Sequence, residues 1–254
     1  PLWCGDEATD FDWFSVTIIP DCWGYVDMRT YSTNAQLQQS LRECRQNGQT
    51  IAFVPTMGNL HEGHLDLVRK ARCLCDVVVV SIFVNPLQFG PGEDLDNYPR
   101  TLAADKEKLF SEGVQVLYAP GVAEIYPDGM TTQTQVHVPD LGETLCGSSR
   151  PGHFDGVTTV VSKLFNIVQP DVAVFGEKDF QQLSIVRKMV KDLCMPIKIV
   201  GVATTRDEDG LAKSSRNGYL SAQQRQTAPL MHQTLNSCRE AIACGFDNFL
   251  QLES

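Results

Sequence analysis

Between residues 30 and 202, short apolar runs alternate with stretches whose apolar positions recur every three or four residues. The runs 51–54, 77–84, 114–119, 172–175 and 197–202 are rich in Val and Ile and of strand length. Continuous rather than alternating apolarity predicts strands buried on both faces of a parallel sheet. Between them, 65–75 places Leu67, Val68, Ala71, Leu74 and Cys75 at helical spacing, and 102–111, 158–168 and 183–193 read as helices too. An earlier helix, capped by Ser32 or Thr33, carries Leu37, Leu41 and Cys44 and ends at Asn47-Gly48. Residues 131–138 alternate polar and apolar and predict an antiparallel excursion. Past a polar break at 206–210, Ala228, Met231, Leu235, Cys238 and Ile242 mark one more helical face, with Pro229 near a kink or restart. Strand–helix alternation of this kind predicts an α/β fold.

Residues 1–29 stand apart: all three tryptophans lie there, and no Lys or Arg occurs before Tyr25. They are read as an N-terminal extension without an assigned function. Residues 30–204 are expected to form the main α/β domain and 205–254 a smaller C-terminal part.

Composition then removes some functions. The 254 residues fit one large domain, or one with a smaller companion, and 43% hydrophobic content supports a sizeable core. A net charge of -10 argues against a nucleic-acid binder that relies on a broad basic face. No apolar run approaches the ~20 residues that span a bilayer, so no membrane partner is expected. The nine cysteines are odd in number and scattered, and are read as reduced, mostly buried thiols of a cytoplasmic protein. Cys73 and Cys75 are not a CxxC pair, and the start shows no signal-peptide pattern.

The candidate chemistry sits at strand ends, where open α/β sheets bind ligands. After 51–54 comes Pro55-Thr-Met57-Gly58-Asn59-Leu60-His61-Glu62-Gly63-His64, which leads into a helix. Gly58 and Gly63 permit close approach of the backbone to a ligand. A helix N-terminus offers N–H groups to phosphate, and two imidazoles add donors for developing charge. A histidine pair packed in a helix-start loop fits the same four residues, and zinc ligation fits them less well. After 77–84 come Asn85 and Gln88 among apolar Pro86, Leu87 and Phe89, a mixture suited to a small polar substrate with an apolar body. After 172–175 come Gly176, Glu177, Lys178, Asp179 and Gln182, with Lys178 suited to phosphate and Asp179 to ribose hydroxyls. After 197–202 come Lys213, Ser214, Ser215 and Arg216, two hydroxyls and two cations in four residues, suited to gripping phosphate. Each of the last three also fits an ordinary surface loop or helix start when taken alone.

His61-Glu-Gly-His64 resembles the HIGH signature of the nucleotidyl-transferring α/β superfamily, and Lys213–Arg216 resembles its KMSKS loop. The segments PTMGNLHEGH, SIFVNPLQFGPGEDLDNYPRTL, EIYPDG, SRPGHFDGVTTVVSKLFNIVQPD, FGEKDFQQL and RDEDGLAKSSRNGYLS occur in this order. Together they resemble the pantothenate synthetase (pantoate–β-alanine ligase) family from about Thr30 to Arg225. The resemblance implies a Rossmann-like parallel-sheet nucleotide-binding domain with a small C-terminal lid, and a homodimer. It implies ATP- and Mg²⁺-dependent joining of pantoate to β-alanine through pantoyl adenylate, with release of pyrophosphate and AMP. By motif it places His61 and His64 on the phosphates, with His64 catalytic, and Met57–His64 and Gly176–Asp179 around ATP. Ser214, Ser215 and Arg216 close over the triphosphate, with Lys178 and Arg216 assisting catalysis. Gln88 and Gln182, with Met57 and Asn85, hold pantoate. Ligands for the metal are not implied, and Arg150 and His153 lie in a motif without a derived role.

Two departures from the family stand out. Lys213 occupies a position where an apolar residue is expected, and the chain is expected to stop before the strand-rich remainder of the lid. Two rival functions are an adenylyltransferase acting on a phosphorylated precursor and an ATP-binding module with impaired turnover.

Overall fold

The computed structural model describes residues 28–252. The tryptophans and Cys4 and Cys22 lie outside the described residues. Six strands form one wholly parallel sheet: β1 (Arg29–Tyr31), β2 (Ile51–Thr56), β3 (Val77–Ile82), β4 (Val116–Tyr118), β5 (Val172–Gly176) and β6 (Lys198–Val202), in the order β1-β4-β3-β2-β5-β6. The helices that matter most are α1 (Asn34–Gln46), α2 (Glu62–Arg72), α3 (Leu102–Ser111), α4 (Val122–Ile125), α5 (Cys146–Ser149), α6 (His153–Val168) and α7 (Phe180–Asp192). Three follow the sheet: α8 (Ala222–Thr227), α9 (Leu230–Ala243) and α10 (Phe249–Leu252).

Side-chain alternation along the strands divides the core in two. Ile51, Phe53, Val77 and Val79 pack with Leu37 and Leu41 of α1, Leu164 and Phe165 of α6, and Leu183 and Val186 of α7. Ala52, Val54, Val78 and Val80 face the other way, onto Leu67, Val68 and Ala71 of α2 and Leu109 of α3. Both faces are therefore covered, and β2 and β3 are apolar over Ile51–Val54 and Val77–Val80 because neither face meets water there. Strand order reverses between β2 and β5, whose pairing is confined to Ala52↔Val172 and Phe53↔Ala173. Beyond it Pro55, lacking an N–H, gives the ladder no donor, and a crevice opens at the carboxyl ends, as expected at such a switch point.

Most predicted elements occur, with shifted ends. Helix α2 begins at Glu62 rather than 65, which makes His61 its N-cap residue. Helix α6 begins at His153 rather than 158. Thr33 caps α1, its hydroxyl accepting from Gln36 N–H, and α9 restarts after Pro229. The short edge strand β1 was not expected.

Two expectations are corrected. Residues 131–138 form no strand. Instead the backbone at Val136 donates to Thr159 Oγ1 (3.0 Å) and accepts from Thr158 Oγ1, so hydroxyls of α6 replace a β partner. The described cysteines are free thiols, but none is buried: Cys73, Cys146, Cys194 and Cys244 are exposed, and Cys44, Cys75 and Cys238 are half-buried. Cys73 and Cys244 cap helix C-termini and Cys194 follows one, positions at the water-facing ends of the layers.

Candidate active site

A cleft of about 230 Å³ lies over the carboxyl ends of β2, β5 and β6. It is lined by Met57, His61, Gly63, His64, Asn85, Gln88, Gly176, Lys178, Asp179, Gln182 and Lys213 through Arg216. Four segments far apart in sequence thus meet, because parallel strands deliver all their following loops to one edge. Gly58, Asn59, Leu60, Glu62 and Glu177, also expected around a nucleotide, are not among the lining residues. Leu60 is core, and Glu62 pairs with Arg69 on the surface.

The His61–His64 turn departs from β2 through two left-handed residues, Gly58 (φ 83°) and Asn59 (φ 50°). Gly58 N–H donates to Thr56 Oγ1 (3.2 Å), and the Thr56 hydroxyl donates to Ser81 O (2.7 Å). His61 caps α2, and its N–H donates to His64 Nδ1 (3.3 Å). The imidazoles lie with centroids 4.1 Å apart. His61 lies over Gly63, where an added Cβ would stand 3.1 Å from its ring. Nδ1 of His61 is buried without a hydrogen-bond partner.

Burial first, and nearby cations second, favour the neutral form of both rings. Burial, then the repulsion that a protonated His61 would add and the charges of Lys178 and Lys108, pushes His64 down to about 3, although part of its ring faces the cleft. His61 is also lowered, by burial first and then Lys178, Lys108 and Lys213, with Asp179 opposing. A neutral His64 that accepts at Nδ1 carries its proton on Nε2 and can only donate there.

The lysine and arginine segments of the cleft are more open. Lys178 pairs with Asp179 at 3.2 Å on an exposed rim. Arg216 donates from Nε and Nη2 to Asp94 (2.9 Å each), lies over the Tyr98 ring, and is raised by the Asp94 hydrogen bond. Ser214 caps the short turn Ser215–Tyr219, accepting from Arg216 N–H (3.2 Å). Ser215 Oγ donates to Asn59 O (3.0 Å), and Asn59 Nδ2 donates to Ser215 O (3.3 Å), so this loop is tied to the histidine turn. The departure at Lys213 is resolved locally: its ammonium pairs with Asp207, which also pairs with Arg225.

The cleft is also lined by the two glutamines and by apolar Val157, Val160, Val161 and Leu164. Gln88 Nε2 meets Met57 Sδ at 3.1 Å. Asn85, fully buried, serves the loop itself: Nδ2 donates to Gly156 O (3.1 Å) and Gln88 Oε1 (3.2 Å), and Oδ1 accepts from Tyr126 OH (2.7 Å) and Leu87 N–H (3.3 Å). Its polar atoms are thereby all engaged within the protein. Gly156 is required there, since a Cβ would meet Leu87 O at 2.3 Å. Arg150 and His153 gain a structural place: Arg150 forks onto Glu93, donates to His153 Nε2 (3.1 Å), and His153 Nδ1–H donates to Gln88 O (2.8 Å). Sequence reading missed Glu93, Gly156 and Tyr98; all three lie within the quoted motifs, but no local pattern marks them.

A family model described as pantoate-beta-alanine ligase matches residues 29–252. The chain belongs to the pantoate–β-alanine ligase family. It is 63% identical over 225 residues to the pantothenate synthetase of Pseudomonas entomophila (strain L48), spanning 89% of this chain and 78% of that protein. The crystal structure of the Thermus thermophilus enzyme superposes with a TM-score of 0.83 at 52% identity, over 89% of this chain and 80% of that one. A Francisella tularensis pantoate-beta-alanine ligase, solved with beta-gamma ATP and beta-alanine, is 40% identical with a TM-score of 0.77, over 83% of this chain and 80% of that one.

Proposed function

We propose that this cleft carries out the ATP-dependent ligation of pantoate to β-alanine, with a distinct role for each of its walls. The observation that carries the reading is one cleft in which a neutral histidine pair faces Lys178 and Arg216 while Gln88 and Gln182 border an apolar wall. The ligase activity itself follows from family membership.

The ATP phosphates lie against His61, His64 and the N-terminus of α2, whose dipole favours anions. Lys178 and the Ser214–Arg216 loop supply charge from the opposite side. Gln182, whose amide has no protein partner among the described residues, and Gln88 hold pantoate so that its carboxylate faces the α-phosphorus. A weak nucleophile needs this placement more than activation. As pyrophosphate departs, Nε2–H of His64 and the guanidinium of Arg216 meet its growing charge. A triphosphate nearby raises both histidine pKa values, bringing proton donation within reach. The β-alanine amine then attacks the adenylate at its carbonyl, forming the amide as the bond to AMP breaks and AMP leaves. To reach the phosphates Arg216 releases Asp94, so residues 205–254 act as the lid over the domain formed by 30–204.

Among the described residues no group of three His, Cys, Asp or Glu side chains is arranged to hold a metal ion. The side chains alone do not fit a Mg²⁺ cage; a Mg²⁺ ion would be held mainly by substrate phosphates, whose charge it would help to neutralise. A cytoplasmic homodimer completes the reading; light scattering on the purified chain tests its assembly. No helix among the described residues is long and apolar enough to cross a membrane.

The test is incubation with ATP, Mg²⁺ and pantoate, with and without β-alanine, measuring AMP and pantothenate together. Both products in equal amounts, only with β-alanine, are expected. ATP binding without either product would point to a module that binds and does not turn over; no ATP binding would sink the site.

A further inference from the structure

Three residues outside the cleft hold the turn that carries the histidines. We infer that one face of α3, formed by Thr101, Asp105 and Lys108, is a positioning bracket that sets where His61 and His64 stand. This rests on the reading of that turn as the phosphate site.

The Asp105 carboxylate is fully buried. One oxygen accepts from Leu60 N–H (2.7 Å), and the other from Asn59 N–H (2.9 Å) and Thr101 Oγ1 (3.0 Å). Lys108 Nζ donates to Leu60 O (2.6 Å). Positions 101, 105 and 108 share one helical face, so a single helix grips successive peptide groups of the turn by both donor and acceptor.

The need for this grip lies in the backbone. Gly58 and Asn59 are left-handed, a conformation that glycine and asparagine adopt readily, so what has to be supplied from outside is partners for the peptide groups the turn exposes. Turned this way, the N–H groups of Asn59 and Leu60 leave the sheet ladder before α2 begins, and buried donors must be satisfied. The carboxylate abuts the turn so closely that a Cβ on Gly58 would stand 3.2 Å from Asp105 Oδ2.

The path onward is short. Leu60, held at N–H and C=O, precedes His61, whose N–H holds His64 Nδ1 and so fixes the ring and its tautomer. Neither Asp105, Thr101 nor Lys108 lines the cleft, so they act through the histidines and not on substrate.

Asp105→Asn keeps the size but turns a donor amide toward one backbone N–H. In the full chain it is expected to lower kcat by about 10- to 100-fold, leave the KM for pantoate within about twofold, and move the ¹⁵N resonances of the His64 ring. Lys108→Met shifts both readouts in the same direction, with kcat down about fivefold. A folded Asp105→Asn protein with wild-type kcat and unmoved His64 signals overturns the bracket, as does an equal rise in every KM with those signals unmoved. If Asp105→Asn fails to fold, Lys108→Met and Thr101→Val decide, and wild-type kcat and signals in both overturn it. His64→Gln in parallel separates the two readings. An unchanged rate there sinks the phosphate-site reading, whereas an inactive His64→Gln beside a fully active Asp105→Asn sinks the bracket.

Discussion

On one side of the cleft the histidine turn hangs from β2 and from Asp105, held by buried hydrogen bonds to peptide groups. On the other, Arg216 stands on the surface, held by Asp94 and lying over Tyr98, on a loop followed by helices with little buried surface. The first wall is a fixed template, because buried hydrogen bonds have no water to exchange with. The second is a movable one, because an exposed ion pair contributes only about 0–1 kcal/mol and is readily traded for a phosphate. Catalysis by charge stabilisation needs donors aligned before the reaction, while admission of three substrates needs a side that opens. The molecule assigns these demands to two different loops of one cleft.

The contrast can be broken at its strongest point. Replacing His64 with Gln removes the fixed donor and is expected to lower kcat by about 10²- to 10⁴-fold, the range for a positioned acid–base group. Steady-state AMP release reads this, and a loss below tenfold would place the chemistry elsewhere.

Stability separates the regions next. Phe53, fully buried under α6, is expected to cost about 3–5 kcal/mol when changed to Ala. Leu235 of α9 is 60% exposed, and its change to Ala is expected to stay within about 0.5 kcal/mol. Urea unfolding of both tests this; similar losses would show that α9 buries its apolar face in solution.

A pH experiment sharpens the fixed wall. His64 is held near 3 in the fold and titrates near the ordinary ~6.5 when unfolded. Between those values the unfolded chain binds more protons, so this residue makes stability fall as pH drops from about 6.5 toward 3. His64→Gln is therefore expected to lose less stability than the wild type between pH 7 and pH 5. Equal losses would show that the ring is not held neutral.

The smallest effect is expected at Lys213, whose charge is shared with Asp207. Lys213→Leu should raise the KM for ATP about two- to fivefold, in keeping with a partly exposed pair. No change at all would make Lys213 passive.

Much of this was legible in the chain. Val and Ile runs announced the sheet because parallel strands meet no water on either face, and the four strand-end motifs announced the cleft because a parallel sheet sends those ends to one edge. Other parts were not legible. The alternation at 131–138 matched a strand, yet hydroxyls on α6 claimed Val136. The cysteines at apolar spacing, Cys44, Cys75 and Cys238, are only half-buried, and the others described are exposed. Asn85 lines the cleft as a strand-end residue, but nothing in its local sequence shows that its amide also ties together Gly156, Gln88, Leu87 and Tyr126.

What the sequence by itself determined is what local periodicity and short motifs encode: which segments are strands or helices, and which residue types stand at the strand ends. Only the tertiary structure decided which polar groups meet. Asp105 lies 46 residues from Asn59, and His153 lies 65 from Gln88. A hydrogen bond depends on distance and angle within a few tenths of an ångström. Those are set by how α3 and α6 pack on the sheet, and spacing along the chain carries no trace of them.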